Sequence, residues 1–218
     1  MTDAAAGVAA GGDGGVGASG LVRALEAAWA AIRAHHVDVP EVVIVLASGT
    51  SGRGAKLGHY AASRWDVAGN TTAEVLVAGE GLRLGPGEVL GTLLHEAAHG
   101  IAHERRIVDT SRGGRYHNRR YAAVADEVGL VATKDARFGW AATVVAPGIE
   151  DRYGEALAGV AAALRLWRRA EVSSARSGAG GASLVACTCP CGRRVRASRT
   201  VLDEAAIVCG RCGQPFTA

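Results

Sequence analysis

The chain has 218 residues, 49% of them hydrophobic and 21% charged, so it can bury one sizeable core, alone or with a small satellite, and is neither a disordered polymer nor a minimal peptide. Its 24 Lys and Arg against 21 Asp and Glu exclude a histone-like polycation and an acidic tail; residues 1–182 balance, and the excess lies in 183–218, with five arginines and two acids. No run reaches the roughly 18 apolar residues of a membrane span, and no basic-then-apolar leader opens the chain, so the composition implies a cytoplasmic protein with no membrane partner.

Residues 1–19 are nearly all Ala, Gly, Ser and Asp and predict a disordered leader. From 21 to 36, Leu21, Leu25, Ala28, Trp29 and Ile32 recur at helical spacing until Pro40 stops the pattern. Residues 41–47 carry an unbroken apolar run, which predicts a strand buried on both faces. A glycine-rich turn at 48–54 leads to two further strands, around 59–67 and 73–78. After Gly85-Pro86-Gly87 a long helix is expected over 88–105, and past a glycine-bearing loop a second over 115–133. Val144, Val145 and Pro147 read as a short strand and a turn. Residues 153–169 are helical in pattern, with Leu157, Val160, Leu164 and Trp167 on one stripe, and 173–183 form a Ser/Gly/Ala linker. The expected organisation is a leader at 1–19, a main domain at 20–172, the linker at 173–183 and a small domain at 184–218.

The first long helix contains His95-Glu96-Ala97-Ala98-His99, an H-E-x-x-H match. Histidines one turn apart point the same way and can pinch one zinc, while the glutamate between them serves as general base. Leu90, Leu93, Ala97 and Ile101 fall on the opposite side, so the helix docks its leucine face and aims the histidines at a cleft. Gly91, Ala98 and Ala102 flank that face and are small enough for a partner helix or a substrate to come close. A catalytic zinc needs a third protein ligand. His103 lies about 12 Å along the axis from His95, too far to share an ion. Asp126 and Glu127 offer an acidic ligand, but His117, Tyr121, Val124, Val128 and Val131 form the inward stripe of the expected second helix, and Asp126 points away from it. His117 is thus the inward-facing candidate, with His59 a weaker one.

All five cysteines fall between Cys187 and Cys212, a crowding that implies metal ligation in place of a disulfide framework. Cys189 and Cys191, with Cys209 and Cys212, form two glycine-bearing knuckles suited to tetrahedral structural zinc, and Cys187 is an alternative to either member of the first pair.

The order of HEAAH, an arginine-rich loop, Gly114-Arg115-Tyr116-His117-Asn118-Arg119-Arg120-Tyr121 and a cysteine ribbon resembles the SprT-like zinc metallopeptidases, the Spartan-related family, over residues 20–218. The resemblance implies an α+β fold: a zincin-type metallopeptidase domain, with a small antiparallel or mixed sheet packed on active-site helices, and a C-terminal zinc ribbon. It implies one catalytic zinc at His95, His99 and His117, one structural zinc, and no organic cofactor. In that family a histidine shortly after a glycine, near the start of the next helix, completes the site, and His117 matches it. The tight pair Cys189 and Cys191 also resembles the family's ribbons. The chain departs from the pattern in the small Ala97 and Ala98, and in Asn118, where a glycine often follows the third histidine.

The chemistry expected is hydrolysis of a peptide bond in a protein substrate, with Glu96 taking the proton from water. Residues 73–78 are the expected edge strand for an extended substrate, and the oxyanion donor lies among Tyr116, Tyr121 and the arginines. Arg105, Arg106, Arg112, Arg115, Arg119 and Arg120 crowd beside the site, and the ribbon adds Arg193, Arg194, Arg196, Arg199 and Arg211. Such runs are either solvated faces or phosphate-backbone surfaces. The resemblance favours DNA as a second partner, because Spartan-like members cleave proteins crosslinked to DNA. Two alternatives stand beside the peptidase: a non-proteolytic nucleic-acid-binding zinc protein, and a regulatory peptidase that cleaves a specific repressor.

Overall fold

The computed structural model describes residues 18–49, 56–169 and 184–218. The expected leader up to residue 17, the turn from residue 50 and the linker at 173–183 lie outside the described residues. The chain divides into two units, Met1–Ala170 and Glu171–Ala218, each with its own core.

In the larger unit, helix α1 (Ser19–His35) buries Leu21, Leu25, Ala28, Trp29 and Ile32 as its periodicity dictates. The Trp29 indole N–H donates to the Pro40 carbonyl at 3.0 Å, which ties the helix to the chain entering the first strand. Strands β1 (Val42–Ala47), β2 (Gly58–Val67) and β3 (Asn70–Ala78) form a mixed sheet of order β1-β3-β2, with β1 parallel and β2 antiparallel to β3. Ala68 and Gly69 join β2 to β3, both at positive φ, a turn whose twist matches that of the strands.

This topology corrects two expectations. β1 is half-buried along its length, because it is an edge strand: Val42, Ile44 and Leu46 pack on the core and the alternate residues face away. Conversely 73–78 is no edge. It is the central strand, with Ala73, Val75 and Val77 buried, so the open edges belong to β1 and β2.

Gly85 at φ 98° followed by Pro86 starts α2 (Pro86–Glu104), which buries Leu90, Leu93, Leu94, Ala97 and Ile101 at the centre of the unit. Ala98 and Ala102 are buried too, and Gly91 stands against Val145. At Ala98 and Ala102 the small side chains let the protein pack on itself.

The single helix expected over 115–133 resolves into three pieces: β5 (Tyr116–His117), α3 (Arg119–Glu127) and β6 (Leu130–Asp135). Asn118 starts α3, its side chain accepting from the Arg120 and Tyr121 N–H groups, and Gly129 at φ 90° ends it. Val131, read as part of an inward stripe, lies on β6 and is 47% exposed. β6 pairs antiparallel with β7 (Gly139–Val145); β5 joins β7 at the parallel pair His117 and Gly139; β4 (Thr110–Ser111) completes the order β4-β5-β7-β6.

Helix α4 spans Ile149–Ala163, starting before and ending short of the expected 153–169. The chain leaves the helix because Arg168 is drawn to the first sheet: its N–H donates to the Gly79 carbonyl at 2.9 Å and its guanidinium to Glu80. Trp167, assigned to the helical stripe, is 57% exposed.

The smaller unit is a hairpin of β8 (Val185–Thr188) and β9 (Arg194–Ala197), then α5 (Arg199–Glu204) capped by Ser198. Thr188 bridges Thr217, which closes the unit over Phe216 and the cysteines. No helix among the described residues is long and apolar enough to cross a membrane.

Candidate metal centres

α2 carries His95 and His99 one turn apart, and β5 brings His117 to them, so that the ligand nitrogens of all three lie within 4.8 Å of one another. His99 Nε2 is 3.0 Å from His117 Nε2. Backbone contacts set the position of His117. Its N–H donates to the Phe138 carbonyl at 3.0 Å, and the next N–H, of Asn118, donates to the Asp109 carbonyl at 2.9 Å. Its own carbonyl packs so tightly on Gly139 that a Cβ there would lie 2.0 Å away.

The Asp109 carboxylate accepts from His99 Nδ1 at 2.5 Å, and Thr143 Oγ1 is 3.0 Å from His95 Nδ1. A proton on His99 Nδ1 leaves Nε2 with its lone pair facing His117. Burial and the neighbouring histidines push His95 well below the usual imidazole range and hold His117 down to about 4, so both are neutral near pH 7. Neutral imidazoles that present lone pairs to a common point favour a cation between them. Tetrahedral zinc, with Zn–N of about 2.0–2.1 Å, sets its nitrogens about 3.3 Å apart, so both spacing and donor chemistry fit a metal ion.

Glu96 is 5% exposed and lies against β2. The Tyr60 backbone N–H bonds its carboxylate, and a Cβ on Gly58 would come within 2.6 Å of Oε1, which explains a glycine at that point of the strand. Burial pushes the Glu96 carboxyl up to about 7.

The other ligand candidates lie elsewhere. Glu127 accepts from Arg105 at 2.6 Å, Asp126 is exposed, His59 is exposed on β2, and exposed His103 has its ring centroid 6.2 Å from that of Tyr60. Arg105, expected among the nucleic-acid-binding arginines, is held between Glu127 and Asp38. Arg106, Arg115 and Arg119 are exposed and make no ion pair among the described residues. Tyr121 is fully buried with its hydroxyl sealed from solvent, which removes it as an oxyanion donor; Tyr116 is half-buried, with the Arg112 guanidinium 4.7 Å from its ring centroid.

Sequence reasoning did not assign Asp109, Thr143 or Gly139 to the site. Asp109 had a signal, as the one acid in an arginine run. Thr143 and Gly139 had none, because their roles exist only once β7 pairs.

In the smaller unit the sulfurs of Cys189, Cys191, Cys209 and Cys212 form a second group able to hold a metal ion. Cys189 Sγ lies 3.2 Å from Cys212 Sγ, and Cys191 Sγ 3.7 Å from Cys209 Sγ. Each knuckle closes on a backbone bond at 2.8 Å, Gly192 N–H to the Cys189 carbonyl and Gly213 N–H to the Cys209 carbonyl. The backbone N–H groups of Arg211 and Cys212 hold the Cys209 thiol low, toward the thiolate a metal requires. Cys187 is buried on β8, its Sγ 3.6 Å from the Val185 carbonyl, and stands outside the group.

No family model matches the sequence, and no curated protein or solved structure matches it.

Proposed function

We propose that the protein is a zinc-dependent metallopeptidase of the SprT-like type, with a zincin-type catalytic domain at 20–172 and a C-terminal zinc ribbon. One observation carries the reading: a buried glutamate lies between two histidines of a convergent three-histidine group, beside the open-edged strand β2. A zinc ion held by His95, His99 and His117 would supply a Lewis acid for the peptide carbonyl and acidify water. Glu96, buried beside the three histidines, takes a proton from the attacking water as a carboxylate and passes it to the leaving amide nitrogen. β2 pairs with β3 on one side only, so an extended substrate adds along its free edge; the substrate strand is 58–67 in place of 73–78. Four thiolate ligands suit a reducing, cytoplasmic setting.

The test is Glu96→Gln. The amide keeps the shape of the carboxylate without its basicity, so the variant should retain both zinc equivalents and its melting behaviour while cleavage of a protein substrate falls about 10²–10⁴-fold. Undiminished proteolysis would overturn the mechanism.

A second reading, DNA association, is favoured by exposed arginines that make no ion pair among the described residues: Arg106, Arg115 and Arg119 near His117 in sequence, and Arg193, Arg194 and Arg196 in the ribbon. It is compatible with the peptidase and with a non-proteolytic zinc protein alike.

A further inference from the structure

The three imidazoles are not held alike. His99 donates through Nδ1 to Asp109, and His95 Nδ1 is paired with Thr143. Such outer partners fix the orientation of a ligating ring. His117 lacks one: its Nδ1 is buried with no hydrogen-bond partner among the described residues. What it has is Tyr121, whose ring meets it nearly edge-on, with centroids 4.6 Å apart and an interplanar angle of 78°. The same ring stands 4.7 Å from His99 and 5.0 Å from His95, and is completely buried.

The Tyr121 backbone is fixed as well. Its N–H, with that of Arg120, donates to the side chain of Asn118, the residue next to His117. A rigid two-torsion ring anchored at a helix start is a stiff support for a neighbour.

We propose that Tyr121 is the positioning residue of the triad: its ring is the floor under all three imidazoles and replaces, for His117, the orienting partner that the other two find in Asp109 and Thr143. The proposal rests on the triad binding metal and is independent of peptidase activity. It assigns the function to the ring. The hydroxyl is itself buried without a partner among the described residues, so removing it should leave the site unchanged.

The test uses the full chain with zinc kept in its thiolate site and the histidine site emptied by a mild chelator, then titrated with cobalt(II), whose visible d–d bands report ligand geometry. Tyr121→Phe should keep the wild-type affinity and bands. Tyr121→Leu and the longer, unbranched Tyr121→Met should lose affinity about 10–100-fold with altered bands, at unchanged circular dichroism. In a His117→Ala background, Tyr121→Leu should add less loss than it causes in the wild type, the share acting through His117 being gone, whereas a general packing defect would add its full effect. Wild-type bands in a folded Leu or Met variant would overturn the proposal. So would a tenfold loss in the Phe variant, which keeps the packing and is informative even where Leu and Met fail to fold. A wild-type triad that takes up no cobalt overturns the metal reading together with this one, while a chain that binds cobalt as expected but cleaves nothing would sink only the peptidase.

Discussion

At His99 one carboxylate decides which ring nitrogen is free. Asp109 accepts from Nδ1 at 2.5 Å, so in the neutral ring the proton sits there and Nε2 presents its lone pair toward His117. Exchanging the carboxylate for an amide of the same shape lets the ring accept instead of donate, and the proton then moves to the nitrogen a metal needs. Asp109→Asn should accordingly weaken zinc or cobalt at the histidine site about 10–100-fold and leave the thiolate site alone. Competition against a chromophoric chelator reads both sites, and unaltered affinity at the histidine site would assign Asp109 to structure only. Glu96 illustrates the same economy of placement. Burial raises its carboxyl, and the burial comes from β2 pressing its Gly58 onto α2. The sequence alone displays the glutamate; the environment that suits it to proton transfer belongs to a neighbouring strand.

Between elements, the third histidine depends on a contact that one methyl group would destroy. β5 meets β7 through His117 and Gly139, and Gly139 combines φ 69° with a His117 carbonyl where its Cβ would stand. Gly139→Ala should therefore cost about 1–3 kcal/mol in backbone strain and displace His117, so that melting temperature and histidine-site affinity fall together. A fall in stability with affinity intact would separate the hairpin from the site. The α2 pentapeptide was legible in sequence because a long amphipathic helix repeats its signal over many residues. β5 and α3 were not, since a two-residue strand has no period and Asn118 interrupts what reads as continuous helix. The stripe that nominated His117 was partly fictitious, as Val131 is on another strand, yet Tyr121, Val124 and Val128 from that stripe are buried. The segment after α4 was misread for a tertiary reason, the pull of Glu80 on Arg168. Glu80 is held down to about 2 by the Gly49 N–H first, and then by Arg168 and Ser48, against its burial. A carboxyl lowered in the folded state stabilises above its unfolded pKa of about 4.3, and that contribution fades as pH falls through 4 toward 2. The stability gap between wild type and Glu80→Gln, measured by thermal melts, should be constant near neutrality and shrink over that acid window. A gap independent of pH down to about 2 would place the stabilisation in shape and not in charge.

Across the whole molecule, a net charge of +3 gives no long-range field worth the name, so any attraction for a polyanion must come from where the charges stand. Two arginines of the 105–120 run are already engaged, Arg105 by two acids and Arg112 at the Tyr116 ring, which leaves fewer free cations near the triad than the sequence advertises. In the ribbon, Arg193 donates toward Cys209 Sγ at 3.9 Å, so part of its charge serves the thiolate group, while Arg194 and Arg196 are exposed on β9. If these arginines contact phosphates, each contact releases counterions, and the log–log slope of affinity against salt steepens by about 0.9 per phosphate on duplex DNA or about 0.7 on a single strand. Backbone contacts carry no base information, so sequence should matter little. Arg194→Ala with Arg196→Ala in the full chain should then weaken binding to every sequence alike and flatten the salt slope by up to about two contacts' worth, without changing metal content or the hydrolysis of a short peptide. Arg193 is left in place in this design, because its loss would disturb the thiolate site and confuse the two effects. Fluorescence anisotropy titrations from low to physiological salt provide the measurement. An unchanged slope in the double variant would move the contacts to Arg106, Arg115 and Arg119, and no measurable affinity of the wild type at low salt would reduce every one of these arginines to a solvated face.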